Sequence, residues 1–164
     1  MTARRQRASR PFEEVVAEHG ALVMRVCRAL VGPADAADAW SETFLSALQA
    51  YPRLRAGSNI RGWLVTIAHR KAIDELRGAA RRRESGLELP EVPAAEPAPA
   101  ADEELRTALD ALPLKQRGAV IYRYLGGLSY AEVGKLLGSN ATAARRSAAD
   151  GIANLRKRLS KGTS

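Results

Sequence analysis

Arg145 and Arg146 stand side by side in the run GSNATAARRS, in a 164-residue protein whose formal net charge is +8. Two guanidiniums at the start of a helix suit phosphate oxygens and base edges, because each carries a planar fork of N–H donors. Asp38 and Glu42 are the matching acidic feature. They lie at i and i+4, so both carboxylates leave a helix on one side, and on residue type alone that is a solvated acidic face. His69 sits beside Arg70 and Lys71 as a polar break in an apolar run, and His19 is the only other histidine. With no cysteine pair to join them, no metal site is expected. Cys27 is the single cysteine, so no internal disulfide can form and a reduced, cytoplasmic setting is the expectation. In ALVMRVCRAL it reads as a small buried hydrophobe. Asp35, Asp38 and Glu42 could be imagined as metal ligands. No His/Asp/Glu cluster, nucleophile–base pair or phosphate-cradling glycine loop accompanies them, so a nuclease or transferase finds no support. The expectation is a protein that is not an enzyme and uses no cofactor.

The elements that must position these groups follow from charge and periodicity. Residues 1–83 carry 15 Lys/Arg and 8 Asp/Glu, residues 84–104 carry 7 Asp/Glu and no Lys/Arg, and residues 105–164 carry 11 Lys/Arg and 3 Asp/Glu. Two basic blocks around an acidic tether suit a polyanion met by two surfaces. The tether, ESGLELPEVPAAEPAPAADEE, holds Pro90, Pro93, Pro97 and Pro99 and has too little apolar content for a core. It is expected to be an extended, mobile linker. No apolar run approaches the roughly 20 residues needed to cross a bilayer, and no secretory signal is read at the basic N-terminus.

Before the linker, Phe12, Val15, Val16, His19, Leu22, Val23, Val26 and Leu30 recur at helical spacing up to VGPAD. Asp35 to about Tyr51 predicts a second helix with Trp40, Phe44, Leu45 and Leu48 on one face. PRLRAGSN reads as a loop. Ile60, Trp63, Leu64, Ile67, Ala68, Ile73 and Leu76 then mark a long helix ending among Arg81, Arg82 and Arg83, with Trp63 in its core. After the linker, Leu105, Leu109 and Leu112 open a second helical set, and Gly126-Gly127 end the helix that follows Pro113. Ser129 and Glu132 form a capping box for the next helix, and Asn140 caps the last. The fold class is therefore all-α: two small helical domains, residues 1–83 and 105–164, joined by a flexible acidic Pro/Ala-rich linker at 84–104. The second contains a helix-turn-helix, with Ser129–Leu137 first, Gly138-Ser139-Asn140 as the turn and Ala141 onward as the helix offered to a major groove. Gly134 marks a close crossing. Val133, Leu136, Leu137, Ala144, Ala148 and Ile152 form the expected seam.

Two motifs carry a resemblance. Residues 105–159, through Leu112, Pro113, Gln116, Arg117 and GLSYAEVGKLLG followed by the arginine-bearing helix, resemble the C-terminal domain of bacterial sigma factors of the extracytoplasmic-function (ECF) group. Residues 22–83 resemble the N-terminal conserved domain of the same group. There DAADAWSETFLSAL stands for the helix that grips RNA polymerase, and NIRGWLVTIAHRKAIDELR for the helix that opens promoter DNA. The motif W-L-x-x-I-A-x-x-x-A-I-D-x-L-R runs from Trp63 to Arg77.

The resemblance implies a division of labour. Asp35, Asp38 and Glu42 would meet a basic coiled coil of core RNA polymerase. Leu54, Arg55, Ala56, Gly57, Ser58 and Asn59 would form the loop that captures a base flipped from the −10 element. His69, Arg70 and Lys71, read as lying on an outer face, would contact the non-template strand. Arg145, Arg146 and Ser147, with Asn140 and Thr142, would read the −35 element. Gln116 and Arg117 would hold phosphate, and Arg156, Lys157, Arg158 and Lys161 would add salt-sensitive attraction. The implied partners are core polymerase, promoter DNA and an anti-sigma factor, with no membrane.

Some positions depart from the group's pattern. Ala37 and Ser41 replace the usual Glu and Gln, Ala143-Ala144 replaces Thr-Val, and Arg70 replaces a common Asn. These departures describe either a divergent sigma factor or a relative that has lost part of the activity. The rival reading is a stand-alone helix-turn-helix regulator that never touches polymerase. Such a regulator has no need of the stretch Trp63–Arg77 or of an acidic helix face.

Overall fold

A computed structural model describes residues 10–86 and 100–162. They form seven α-helices and no strand, and the chain divides into two compact units, Met1–Val92 and Pro93–Ser164.

In the first unit, α1 (Phe12–Val31), α2 (Ala36–Ala50) and α3 (Ile60–Glu84) pack on one another, with a 3-10 turn at Tyr51–Arg53 after α2. Val15, Val23, Val26 and Cys27 from α1 are fully buried, as are Leu64, Val65 and Ala68 from α3. The fully buried α2 seam is built mostly from smaller groups, Ala36, Ala39, Thr43 and Ala47, beside the ring of Phe44. Small side chains let three helices approach closely, and the seam is correspondingly narrow. Leu45 and Leu48, expected on the core face with Trp40 and Phe44, are instead 60% and 50% exposed. Trp40 does turn inward, its ring tilted against Phe44 with centroids 4.5 Å apart and its indole N–H donated to the Gly20 carbonyl at 2.9 Å. Burial pushes the Cys27 thiol up to about 11, which agrees with its reading as a core hydrophobe.

The second unit runs α4 (Ala100–Asp110), α5 (Leu114–Val120), α6 (Tyr130–Leu136) and α7 (Ala141–Lys161), with α5 and α6 both packed on α7. Of the segment 84–104, expected as a linker, Glu84 closes α3 and residues 100–104 open α4. The rest of that segment, 87–99, lies outside the described residues, as does the basic stretch 1–9. One feature has no signature in the periodicity. Beyond Val120 the helix widens into a π turn over Ile121–Leu125, closed by Gly126 N–H on the Ile121 carbonyl at 2.9 Å. This added residue per turn keeps Ile121 and Tyr122 buried while Tyr124 faces outward.

Candidate nucleic-acid interface

The helix-turn-helix is assembled from local signals. Ser129 accepts from Glu132 N–H and the Glu132 carboxylate accepts from Ser129 N–H at 2.8 Å, which fixes the start of α6. Gly138 adopts φ +68, a left-handed turn conformation that strains any other residue. Asn140 then starts α7, its Oδ1 accepting from Ala143 N–H at 2.9 Å. The crossing at Gly134 is as close as the sequence suggested, since a Cβ there would lie 2.5 Å from the Asn140 backbone. Val133, Ala144 and Ala148 fill the seam completely, while Leu136, Leu137 and Ile152 are half-buried at its margin.

On this frame Thr142, Arg145 and Arg146 are exposed on the first turns of α7, and Ser147 is half-buried. Arg145 does not hang free. Its guanidinium lies over the Tyr130 ring, 5.0 Å from the centroid, and Arg123 lies over the same ring at 4.5 Å. An exposed cation–π contact contributes about 0.5–1 kcal/mol, enough to favour one rotamer without locking it.

Gln116 and Arg117 are placed differently from the α7 arginines. Gln116 accepts from Asn154 at 2.9 Å, and its carbonyl faces Gly151 where α5 meets α7. Arg117, largely buried, pairs with Asp110 at 3.6 Å. Both side chains are half-buried and have partners within the unit, whereas Arg145 and Arg146 are exposed. Arg156, Lys157 and Arg158 are exposed further along α7. Lys157, Arg158 and Lys161 line an open groove against Leu112 and Pro113.

In the first unit, Leu54 packs against the core and anchors the loop to α3. Beyond it Arg55, Ala56 and Gly57 are exposed, with Gly57 at φ +81 and open space where a side chain would go. Ser58 closes this loop by donating its hydroxyl to the Arg55 carbonyl at 2.6 Å. Asn59 caps α3, accepting from Gly62 N–H at 3.1 Å. His69, Arg70 and Lys71 do not share an outer face. Only Arg70 is exposed, because successive helical residues turn by about 100° and three in a row spread around the cylinder. His69 is half-buried, and burial first, then Arg70, holds its imidazole below the ordinary value of 6.5. Lys71 turns toward α2, lining a groove with Asp38, Ser41, Glu42, Asp74, Glu75, Gly78 and Arg82. Asp38 and Glu42 are exposed there, and Asp35 stands at the N-cap of α2. Glu75 is pushed above the usual carboxylate range, mainly by burial and then by Asp35, Asp38 and Glu42. The acidic face is thus larger than the sequence showed, because Glu75 reaches it from α3. Among the described residues no group of three or more His, Cys, Asp and Glu could hold a metal ion, and no helix is long and apolar enough to cross a membrane.

Comparison with known proteins decides what these two units are. Residues 15–82 match the family model of sigma-70 region 2, and residues 102–155 match that of sigma-70 region 4. The chain belongs to the ECF group of the sigma-70 family. It is 32% identical to the ECF RNA polymerase sigma factor SigE of Mycolicibacterium smegmatis over 97% of this chain. Against the RNA polymerase sigma factor CarQ of Myxococcus xanthus it is again 32% identical, covering 94% of this chain and 92% of CarQ. The chain spans about two thirds or less of the length of several curated relatives, 65% in the case of SigE. The fold matches that of the sigma factor RpoE from Bartonella quintana, solved in complex with the anti-sigma factor NepR. That similarity has a TM-score of 0.77 at 21% identity and covers 91% of this chain and 96% of RpoE.

Within this sigma-70 frame, α1–α3 are region 2 and α4–α7 are region 4. Three features escaped sequence reasoning: the Tyr130 contact with Arg145, the Gln116–Asn154 bond and the approach of Glu75 to the α2 acids. Each joins residues on different helices, and a single-helix pattern carries no signal for such pairs. The glycine in DGIANL was a usable hint, since Gly151 is buried where α7 crosses α5.

Proposed function

We propose that this chain is a dissociable sigma subunit that binds core RNA polymerase in the cytoplasm and directs promoter-specific initiation of transcription. The observation that carries this reading is the order of parts: region 2 and region 4 on one chain, the second ending in a helix-turn-helix whose α7 presents exposed arginines. Region 4 would set α7 in the major groove of the −35 element, with Arg145 on a base edge and Arg146 on phosphate. Adjacent residues diverge by about 100°, so one of the two reaches deep while the other meets the backbone. In region 2 the loop Leu54–Asn59 would receive a base flipped from the −10 element. Its open backbone at Gly57 supports this, because the strand can approach without meeting a side chain. Arg70, exposed on α3, would follow the displaced strand.

The α2 face with Asp38 and Glu42 would dock on a basic surface of the polymerase, as the group's resemblance implies. An anti-sigma factor is a natural further partner, since RpoE was solved with one. The protein itself makes and breaks no bond. Its contribution is to place polymerase on a sequence and to stabilise opened strands.

The test is reconstitution. Purified protein mixed with core polymerase is expected to co-elute on gel filtration. The mixture is expected to start transcripts from promoters that core alone ignores. Failure to associate with polymerase, alongside retained duplex binding, would replace this reading with the stand-alone regulator.

A further inference from the structure

None of the roles proposed above uses Tyr130, yet two arginines converge on its ring. The Arg123 guanidinium lies 4.5 Å from the ring centroid and that of Arg145 lies 5.0 Å away. Arg123 is itself tied down, donating from Nη1 to the Leu128 carbonyl at 3.0 Å. Tyr130 is the first residue of α6, directly behind the Ser129–Glu132 capping box, so its backbone is fixed. The ring is therefore placed by its own backbone, with Arg123 over it. Arg146, one residue along α7, has no side-chain hydrogen bond, ion pair or ring contact among the described residues.

We propose that Tyr130 is a positioning residue for Arg145 and thereby a determinant of −35 specificity. A cation–π contact restricts the guanidinium without using up its N–H donors, which a guanine edge can then accept. Part of the rotamer freedom that a bidentate contact removes is then already lost in the free protein. Arg146 lacks this support and keeps its freedom, which suits a phosphate contact that tolerates many geometries. The inference rests on reading α7 as the −35 helix. It adds that the α6 residue Tyr130, which need not touch a base, sets how well Arg145 does so.

The test uses the whole chain and a duplex selected by the wild-type protein from a random pool, with a scrambled duplex as control, across a salt series. The variants are Tyr130→Phe, Tyr130→Leu, Arg145→Ala and the double Tyr130→Leu/Arg145→Ala. Tyr130→Phe keeps the ring and is expected to keep discrimination. Tyr130→Leu is expected to lose about two- to fivefold in discrimination, at the base pair where Arg145→Ala loses it. Affinity for the scrambled duplex and the salt slope should not move, and the double variant should be no worse than Arg145→Ala alone. A second readout is direct: the Arg145 side-chain protons should show a ring-current shift in wild type and Tyr130→Phe, absent in Tyr130→Leu. Should Tyr130→Leu lose helicity, Tyr130→Met takes its place. Discrimination lost in Arg145→Ala but intact in Tyr130→Leu overturns the positioning role and leaves the −35 reading standing. An unaffected Arg145→Ala, or a pool from which the wild type selects nothing, overturns both. Equal weakening on both duplexes in Tyr130→Leu makes the ring merely structural and overturns the proposal.

Discussion

Two buried glycines show how much depends on what a single added methyl would meet. At Gly134 a Cβ would lie 2.5 Å from the Asn140 backbone, and a backbone carbon at a helix cap has nowhere to go. Gly134→Ala is therefore expected to destabilise region 4 by about 1–3 kcal/mol in urea denaturation, in the range of an overpacked core. At Gly20 the nearest atom is Trp40 Cζ2 at 3.5 Å, an ordinary contact, and the residue is mid-helix. Gly20→Ala should be neutral or stabilising by up to about 1 kcal/mol, because alanine restricts the unfolded chain and favours helix. A stabilised Gly134→Ala would show that the crossing is looser than described. The histidines give a pH test. Burial is the largest cause holding His69 and His19 below 6.5, so folded region 2 keeps them neutral where the unfolded chain binds protons. Stability from these groups is present above pH 6.5 and is lost as pH falls below it. His69→Gln should flatten part of that acid-side loss in melting curves between about pH 7 and 5.

At the scale of elements, α2 has two faces of opposite use. Its inner face is small and apolar, while its outer face carries Asp38 and Glu42 together with the exposed leucines Leu45 and Leu48. Reversing both charges, Asp38→Arg with Glu42→Arg, leaves the inner seam untouched and should preserve helicity by circular dichroism. Association with core polymerase should fall by tenfold or more if the pair meets a desolvated basic partner, at about 1.4 kcal/mol per decade. The same double variant should bring the Glu75 carboxyl down, because two of the charges that raise it are gone. Undiminished polymerase binding with a shifted Glu75 would move the docking surface elsewhere while leaving the local electrostatics intact.

At the scale of the molecule, the chain divides into two compact units with separate cores. Separately produced fragments 1–92 and 93–164 are each expected to be helical and to unfold cooperatively. Limited proteolysis of the whole chain should cut first between the units, where the sequence is rich in proline and acid and poor in apolar residues. A fragment that unfolds without a transition would mean that the units depend on each other.

What the sequence by itself determined was local and periodic. The helical class and the order of elements follow from apolar spacing, and the caps at Ser129 and Asn140 and the turn at Gly138 follow from those residue types. The two motifs that carry the family resemblance sit on those same elements. These signals lie within a few residues of one another, so no knowledge of the neighbouring helices is needed to read them. What only the tertiary structure decided concerns partners. Leu45 and Leu48 fit an apolar stripe on paper, but α1 and α3 close on the alanines instead, because small side chains permit the nearer approach. Gln116 and Arg117 have the chemistry of phosphate ligands, and the fold sets Asn154 and Asp110 against them. Arg145 and Arg146 are indistinguishable as residue types, and the fold sets them apart by laying one of them over Tyr130. A side chain's chemistry is fixed by its type, whereas its use is fixed by whichever group the fold brings within reach.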